Sequence, residues 1–386
     1  MEKRRYRNTD EFVSLLGFGC MRLPTREGGT SRDIDKEKTR EMIEYARAAG
    51  VNYFDTAYMY HEGASEPVIG EILSSFDRKS FNLATKMPLM MLQHEAQVET
   101  IFNDQLKKCR VDYFDFYLLH NMNRGLKTAA ERFKVYEFLK KKQEEGVIRH
   151  LGFSFHDSPA VLKEITGQWD FDFTQIQCNY QDWEEQDAKG QVKILASKGL
   201  PIIVMEPVRG GSLATLSESA VEIFKKADPA ASPASWALRY AASIPEVLTV
   251  LSGMSTLDQV KDNTAILSSF KPLSGAEREV ISAALLAYRK SATVPCTACR
   301  YCMDCPSGVD IPRNLAIFNG WKITLDKNPA TPRFFFDMQY GRMGPEEQSS
   351  NCVNCGKCAE KCPQHIDIPR WMGVINTYVR EGRLPA

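Results

Sequence analysis

The chain has no surplus charge of either sign: lysine plus arginine and aspartate plus glutamate number 49 each in 386 residues. No overall field is available to gather nucleic acid or an anionic membrane, so neither is expected as a partner. There is no run of about 18 apolar residues, which a membrane-spanning helix requires. Met1–Asp10 (MEKRRYRNTD) lacks the apolar core and small-residue cleavage site of a secretory leader. A reducing, cytoplasmic compartment is therefore expected, and with it no disulfide framework for the 11 cysteines. The first strand-like run is not followed by GxGxxG; Gly17-Phe18-Gly19 is all that stands there, which argues against a doubly wound dinucleotide-binding sheet. No flavin-binding signature is present.

What the chain does have is cysteine, concentrated near its C-terminal end. Cys296, Cys299, Cys302 and Cys305 precede Pro306, and Cys352, Cys355, Cys358 and Cys362 precede Pro363. Structural zinc usually takes two Cys or Cys/His pairs set well apart, and these dense runs do not have that spacing. C-x2-C-x2-C closed by Cys-Pro is instead how bacterial ferredoxins hold [4Fe–4S] clusters, with the fourth cysteine of each run serving the other cluster. Two clusters are expected, one on Cys296, Cys299, Cys302 and Cys362, the other on Cys352, Cys355, Cys358 and Cys305. The stretch Cys305–Arg313 (CPSGVDIPR) recurs as Cys362–Arg370 (CPQHIDIPR), each copy leading into a helix with aspartate at its N-cap and proline in its first turn. The long stretch between the runs favours a mostly helical module. Cys20, Cys109 and Cys178 are isolated and read as buried apolar thiols.

Upstream, short apolar runs alternate with amphipathic, charge-rich stretches. The runs are 15–20, 51–55, 81–86, 114–120, 147–154, 171–177, 201–206 and 247–252. Helical stretches lie between them, among them 36–49, 95–110, 131–145, 186–198 and 232–243, and Gly50, Gly146 and Gly199 stand where C-caps belong. Eight strand–helix repeats in a region of about 250 residues predict an α/β (β/α)8 TIM barrel; a doubly wound sheet is the alternative. The expected organisation is a barrel over 1–272, a helical connector over 273–292 and a smaller, ferredoxin-type module over 293–386.

In such a barrel chemistry sits at the C-terminal strand ends. Those ends carry Asp55, Lys86 and His120, with Tyr60 in the loop after Asp55. Singly, each has a plain structural explanation: a helix cap, a solvated charge, a core histidine, a pocket wall. Together they form a proton-delivery set. A phenol whose ordinary pKa is near ~10 becomes a better donor beside an ammonium. Lys86 is expected to supply that charge, Asp55 to hold Lys86, and His120 to orient a carbonyl oxygen.

These residues carry a resemblance. Asp55-Thr56-Ala57-Tyr58-Met59-Tyr60, the Leu83-Ala84-Thr85-Lys86 and Asp115–His120 strands, and Ile148–Ser154 resemble the aldo-keto reductase family. The resemblance implies that Tyr60 is the general acid, completed by Asp55, Lys86 and His120, and that NAD(P)H binds extended without a Rossmann fold. It further implies cofactor contacts from Gly19, Cys20 and Met21 at the first strand end, and from Asp55. Ser154 and Gln175 match the carboxamide positions. Glu206, Pro207, Val208, Gly210, Gly211 and Leu213 match the pyrophosphate region. Gly253, Met254, Ser255, Gln259 and Asn263 match the adenosine end. The asparagine usual after the strand-5 serine is here Phe155, and the usual basic residues at the adenosine end are Gly253 and Gln259, so NADH is as compatible as NADPH. The tail resembles two-cluster ferredoxin domains, and the whole resembles the iron–sulfur branch of the family.

Two functions stay open at this level. One is an oxidoreductase that reduces an aldehyde or ketone, a small-molecule carbonyl substrate, with accessory clusters. The other is an electron-transfer protein linking a nicotinamide site to a ferredoxin or flavoprotein partner. A binding module on a retained scaffold is disfavoured by the intact polar set.

Overall fold

Parallel strands buried on both faces must be apolar almost throughout, and eight such runs close here into one barrel. The computed structural model describes residues 1–289, 294–327 and 333–382. The barrel strands are β1 Leu16–Gly19, β2 Tyr53–Asp55, β3 Asn82–Met87, β4 Phe114–Met122, β5 Ile148–Phe155, β6 Phe173–Gln177, β7 Ile202–Met205 and β8 Val247–Gly253. They pair in sequential order, with β8 returning to β1. The expected (β/α)8 architecture is present, each strand lying within a few residues of its predicted run.

Alternation along the strands sorts two cores. Tyr53, Ala84, Phe116, Leu118, Phe173, Ile203 and Leu251 form one cluster, joined by Tyr6 and Val13. Phe54, Leu83, Met87, Tyr117, Leu119, Phe153 and Phe155 belong to the larger cluster shared with the helices. The first set faces the barrel interior. Gly17 fits there because a Cβ would lie 2.6 Å from Leu251 and 3.2 Å from the Tyr53 ring. An antiparallel ribbon, Lys3–Arg5 with Phe12–Ser14, precedes the barrel; Arg4 binds the carbonyl of Ala242 at 2.6 Å.

Local chemistry sets the helix ends. Asp35, Asn123 and Thr256 accept from backbone amides at the starts of Lys36–Ala48, Arg124–Arg132 and Leu257–Ser268. Gly50, Gly146 and Gly199 have φ of 94°, 77° and 63°, the left-handed closure expected of them. The helix expected over 131–145 is instead two, Arg124–Arg132 and Val135–Glu144, with Lys134 at φ 50° between them. The break lets both Phe133 and Val135 be buried, which one continuous helix face could not do.

The chain divides into two compact units, Met1–Val208 with Ala234–Leu273, and Arg209–Pro233 with Ser274–Ala386. Arg209–Pro233, read from the sequence as part of the barrel region, clusters with the tail. In the second unit, helix Glu218–Ala227 packs on Gly275–Arg289. The tail is helical, and no strand follows Gly253 among the described residues. Its two repeat copies open helices Ile311–Lys327 and Ile368–Glu381, where Asp310 and Asp367 accept from the amides of Arg313 and Arg370 at 3.3 and 3.2 Å. Their apolar faces meet around Leu315, Phe318, Trp321, Met372 and Ile375, and Trp321 Nε1 donates to the Tyr378 hydroxyl at 2.6 Å.

Candidate functional site

The interior-facing columns end in polar residues at the C-terminal rim. Tyr53 is followed two positions on by Asp55, Ala84 by Lys86, and Leu118 by His120, so the pleat turns all three inward. Lys86 Nζ donates to Asp55 Oδ1 at 2.6 Å, to the carbonyl of Thr56 at 2.7 Å and to the Tyr60 hydroxyl at 3.2 Å. All three ammonium protons are thereby engaged. The His120 and Tyr60 rings meet edge to face, centroids 6.0 Å apart. The structure thus brings the four predicted residues together. Tyr60 opens the short turn Tyr60–Gly63, in which His61 and Glu62 both have φ of 53°.

Electrostatics corrects one expectation. Lys86 was expected to lower the Tyr60 pKa; burial instead holds the phenol well above its ordinary value, with Asp55, Glu206 and Cys20 adding to the effect and Arg22 opposing it. The ammonium lies closer to the carboxylate than to the phenol, so Asp55 cancels most of its field. Burial likewise raises the Asp55 carboxyl, against the pull of Lys86. Burial, Lys86 and His156 push His120 well below the usual histidine value, leaving a neutral imidazole at neutral pH.

The rim carries further predicted residues. Ser154 and Gln175 face each other in register on β5 and β6. Ser154 Oγ accepts from the Asn121 amide at 2.8 Å, and Gln175 donates to Met205 Sδ at 3.5 Å. Gln175 Oε1 is buried with no hydrogen-bond partner among the described residues, as a residue waiting for an amide donor would be; the site residues fit a nicotinamide carboxamide in that respect. Phe155 belongs to the outer core and cannot take the place of the absent asparagine. Gly19 pairs with both Asp55 and Gly253, while Cys20 is buried and Met21 lies in the turn Cys20–Arg22. Glu206 stands 3.5 Å from Arg22, and its carbonyl accepts from Asn179 at 3.0 Å; Pro207 and Val208 follow it. Past β8 come Met254 and Ser255, whose amide donates to Gln259 Oε1 at 2.7 Å; Asn263 donates to Ser252 at 3.0 Å. Gly210, Gly211 and Leu213 lie in the second unit.

Sequence reading passed over some participants. Arg22 lays its side-chain methylenes against the Gly253 position and accepts from Ser255 through its carbonyl, while its guanidinium lies 3.5 Å from Glu206. Beneath Lys86, the wholly buried Glu66 accepts from Thr85 and Gln105 at 2.6 Å each, and Gln105 also donates to the Lys86 carbonyl at 3.1 Å. The signal for Glu66 was present: it shares a helical face with Ile69, Gly70 and Leu73, an odd place for a carboxylate.

In the second unit the cysteines gather crosswise. Cys296, Cys299, Cys302 and Cys362 line one cavity with Ile311, Leu315 and Ile366. Cys305, Cys352, Cys355 and Cys358 line another, which Cys302 also borders. Burial raises the Cys302 thiol, with Cys299, Cys296 and Cys362 adding to it; Cys358 is raised by burial, with smaller contributions from Cys352 and Cys305. No group of three or more candidate ligands converges on a single-ion position among the described residues. Thiols spread around a cavity suit a cubane, which takes one thiolate per iron, and the residues present fit that group.

A closed parallel barrel with a buried Asp–Lys–Tyr–His set, followed by a cysteine-rich helical module, defines an oxidoreductase class. The model of the Aldo/keto reductase family matches residues 15–285, and that of a 4Fe-4S dicluster domain matches residues 295–367. The chain belongs to the aldo/keto reductase family and carries a 4Fe–4S ferredoxin-type domain in its tail. A probable aldo-keto reductase of Glycine max is 27% identical over 52% of the chain, which spans only 57% of that protein's length. An uncharacterized oxidoreductase of Bacillus subtilis is 26% identical over 68% of the chain and 90% of its own. The solved structure of an aldo-keto reductase from Bacillus halodurans, holo form, aligns with a TM-score of 0.60 at 27% identity, covering 74% of this chain and 96% of that one. No described helix is long and apolar enough to cross a membrane.

Proposed function

We propose that the protein reduces an aldehyde or ketone to an alcohol with NAD(P)H, Tyr60 acting as general acid. The observation that carries this reading is the Lys86 ammonium held between the Asp55 carboxylate at 2.6 Å and the Tyr60 hydroxyl at 3.2 Å. Bound nicotinamide would supply the hydride. Tyr60 keeps its proton in the resting site, because burial disfavours phenolate. It releases that proton to a substrate oxygen that gains negative charge, and Lys86 then stabilises the phenolate left behind. Asp55 keeps the ammonium charged and aimed. The neutral His120 imidazole donates a hydrogen bond to the substrate oxygen and does not compete as an acid. Ser154 and Gln175 would hold the carboxamide, with Glu206–Val208, Gly210, Gly211 and Leu213 along the pyrophosphate and Gly253–Ser255, Gln259 and Asn263 toward the adenosine.

The crossed cysteine sets would hold two [4Fe–4S] clusters, which supply one-electron transfer when bound. Their oxygen-sensitive chemistry suits a reducing, cytoplasmic setting. One observation favours the second reading, exchange with a ferredoxin or flavoprotein: at the second cavity Cys355 is exposed and Val353 is 68% exposed, open to a partner. Substituting Tyr60→Phe separates the two. Loss of carbonyl reduction by about 10²-fold or more, with iron content and dinucleotide affinity retained, supports the reductase. Full carbonyl reduction in Tyr60→Phe would overturn it.

A further inference from the structure

The loop proposed to carry the pyrophosphate does not stand by itself. From Arg209 onward it belongs to the same compact unit as the cysteine runs. Gly210 has φ 65°, and a Cβ built there would lie 2.6 Å from Thr297 Cα and 2.7 Å from the Thr297 carbonyl carbon. Real Cβ atoms do not approach that closely, so the two backbones touch at a spacing only glycine permits. Thr297 is 1% exposed and sits between Cys296 and Cys299, two of the four cysteines lining the first cavity. Arg209 and Gly211 flank Gly210 with φ of 48° and 97°, and the turn closes on itself, the Ser212 and Ala214 amides donating to the Arg209 and Gly211 carbonyls at 3.1 and 3.0 Å. A turn that holds its own shape follows whatever it rests against, and Gly210 rests against Thr297.

We propose that the first cluster-binding loop is a positioning element for the dinucleotide loop: the Cys296–Cys302 backbone, once tied down by its iron–sulfur ligation, seats Gly210 and thereby sets the affinity for NAD(P)H. This rests on the nicotinamide reading above and gives a physical reason for joining a hydride-transfer barrel to a cluster module without a flavin. Thiols released from iron leave Cys296–Cys302 free to move, and the Gly210 contact moves with it. The three atoms that a Gly210 Cβ would meet first all belong to Thr297, at the first cavity. The coupling is reciprocal, as any linkage between two binding equilibria must be: dinucleotide bound at the loop retards iron loss from the first site.

The test uses the full chain, reconstituted anaerobically with iron and sulfide and titrated with NADH and NADPH by protein fluorescence. Cys299→Ser, at the first cavity, is expected to weaken dinucleotide binding at least five-fold, while Cys355→Ser, at the second, changes it less than two-fold. In the unaltered protein, saturating dinucleotide is expected to slow iron release to a ferrous chelator by at least five-fold. That measurement holds even where Cys299→Ser fails to fold. Gly210→Ala, which wedges the backbones apart, is expected to speed iron release with no dinucleotide present, an effect that a direct defect in cofactor binding would not produce. Equal affinities in Cys299→Ser and the unaltered protein, equal losses in both cysteine variants, or iron release indifferent to dinucleotide and to Gly210→Ala would overturn the proposal. Failure of the unaltered holoprotein to bind either dinucleotide would remove the nicotinamide reading as well.

Discussion

Replacing Asp55 with asparagine is expected to destabilise the barrel by about 3–5 kcal/mol, because it strands a buried charge. The Lys86 and Asp55 side chains are 0% and 3% exposed, so water cannot replace the lost carboxylate. The ammonium would keep only the Thr56 carbonyl at 2.7 Å and the Tyr60 hydroxyl at 3.2 Å, both neutral partners. Lys86→Met strands the carboxylate instead and is expected to cost a similar amount. The double variant leaves no charge and fills the space with an apolar chain, so its stability should lie within about 1–2 kcal/mol of the parent. A coupling of several kcal/mol then separates the pair from independent sites, which add to within about 0.5 kcal/mol. Every variant loses reduction, so activity cannot report this; urea unfolding of the four proteins at equal iron content can. Additive losses, or an Asp55→Asn barrel within about 0.5 kcal/mol of the parent, would refute the claim that the ammonium depends on Asp55.

Acid should weaken the fold before carboxylates begin to titrate. The folded-state pKa of His120 is depressed by burial, Lys86 and His156, so the unfolded chain binds the extra proton below its own pKa of about 6.5. Stability is full above that pH and falls as pH drops below it, by up to about 1.4 kcal/mol per pH unit. Burial lowers His61 as well and adds in the same sense, whereas burial-raised Asp55, Glu66 and Asp115 act oppositely. Urea midpoints that do not change between pH 7.5 and 5.5 would contradict this. Inside the barrel, Gly152→Ala would set a Cβ 2.6 Å from the Phe173 carbonyl oxygen and 2.7 Å from its ring; a loss of about 1–3 kcal/mol is expected, and an unchanged unfolding midpoint would show that the strands can part at no cost.

The eight strands were legible because a strand buried on both faces leaves an apolar run whatever surrounds it, and the polar residue ending each of β2, β3 and β4 stood out against that run. The cysteines were legible because thiols two residues apart are held together by the chain itself. Glu66 was masked by its setting at the start of Ser65–Leu73, where a carboxylate beside apolar residues reads as noise until Thr85 and Gln105, from elsewhere in the chain, give it partners. Arg22 gave no signal, since nothing near it in sequence says that Gly253 and Glu206 will be its neighbours.

The chain alone therefore determined the strand order, which polar residues end the strands at the rim and which cysteines gather at each cavity, all of which depend on covalent spacing and pleat parity. Tertiary structure alone decided which way the Tyr60 pKa moves, that Phe155 turns outward, and that Gly210 rests on Thr297. These depend on desolvation and on contacts between segments far apart in sequence, and such quantities exist only once the whole fold has excluded water and fixed the distances.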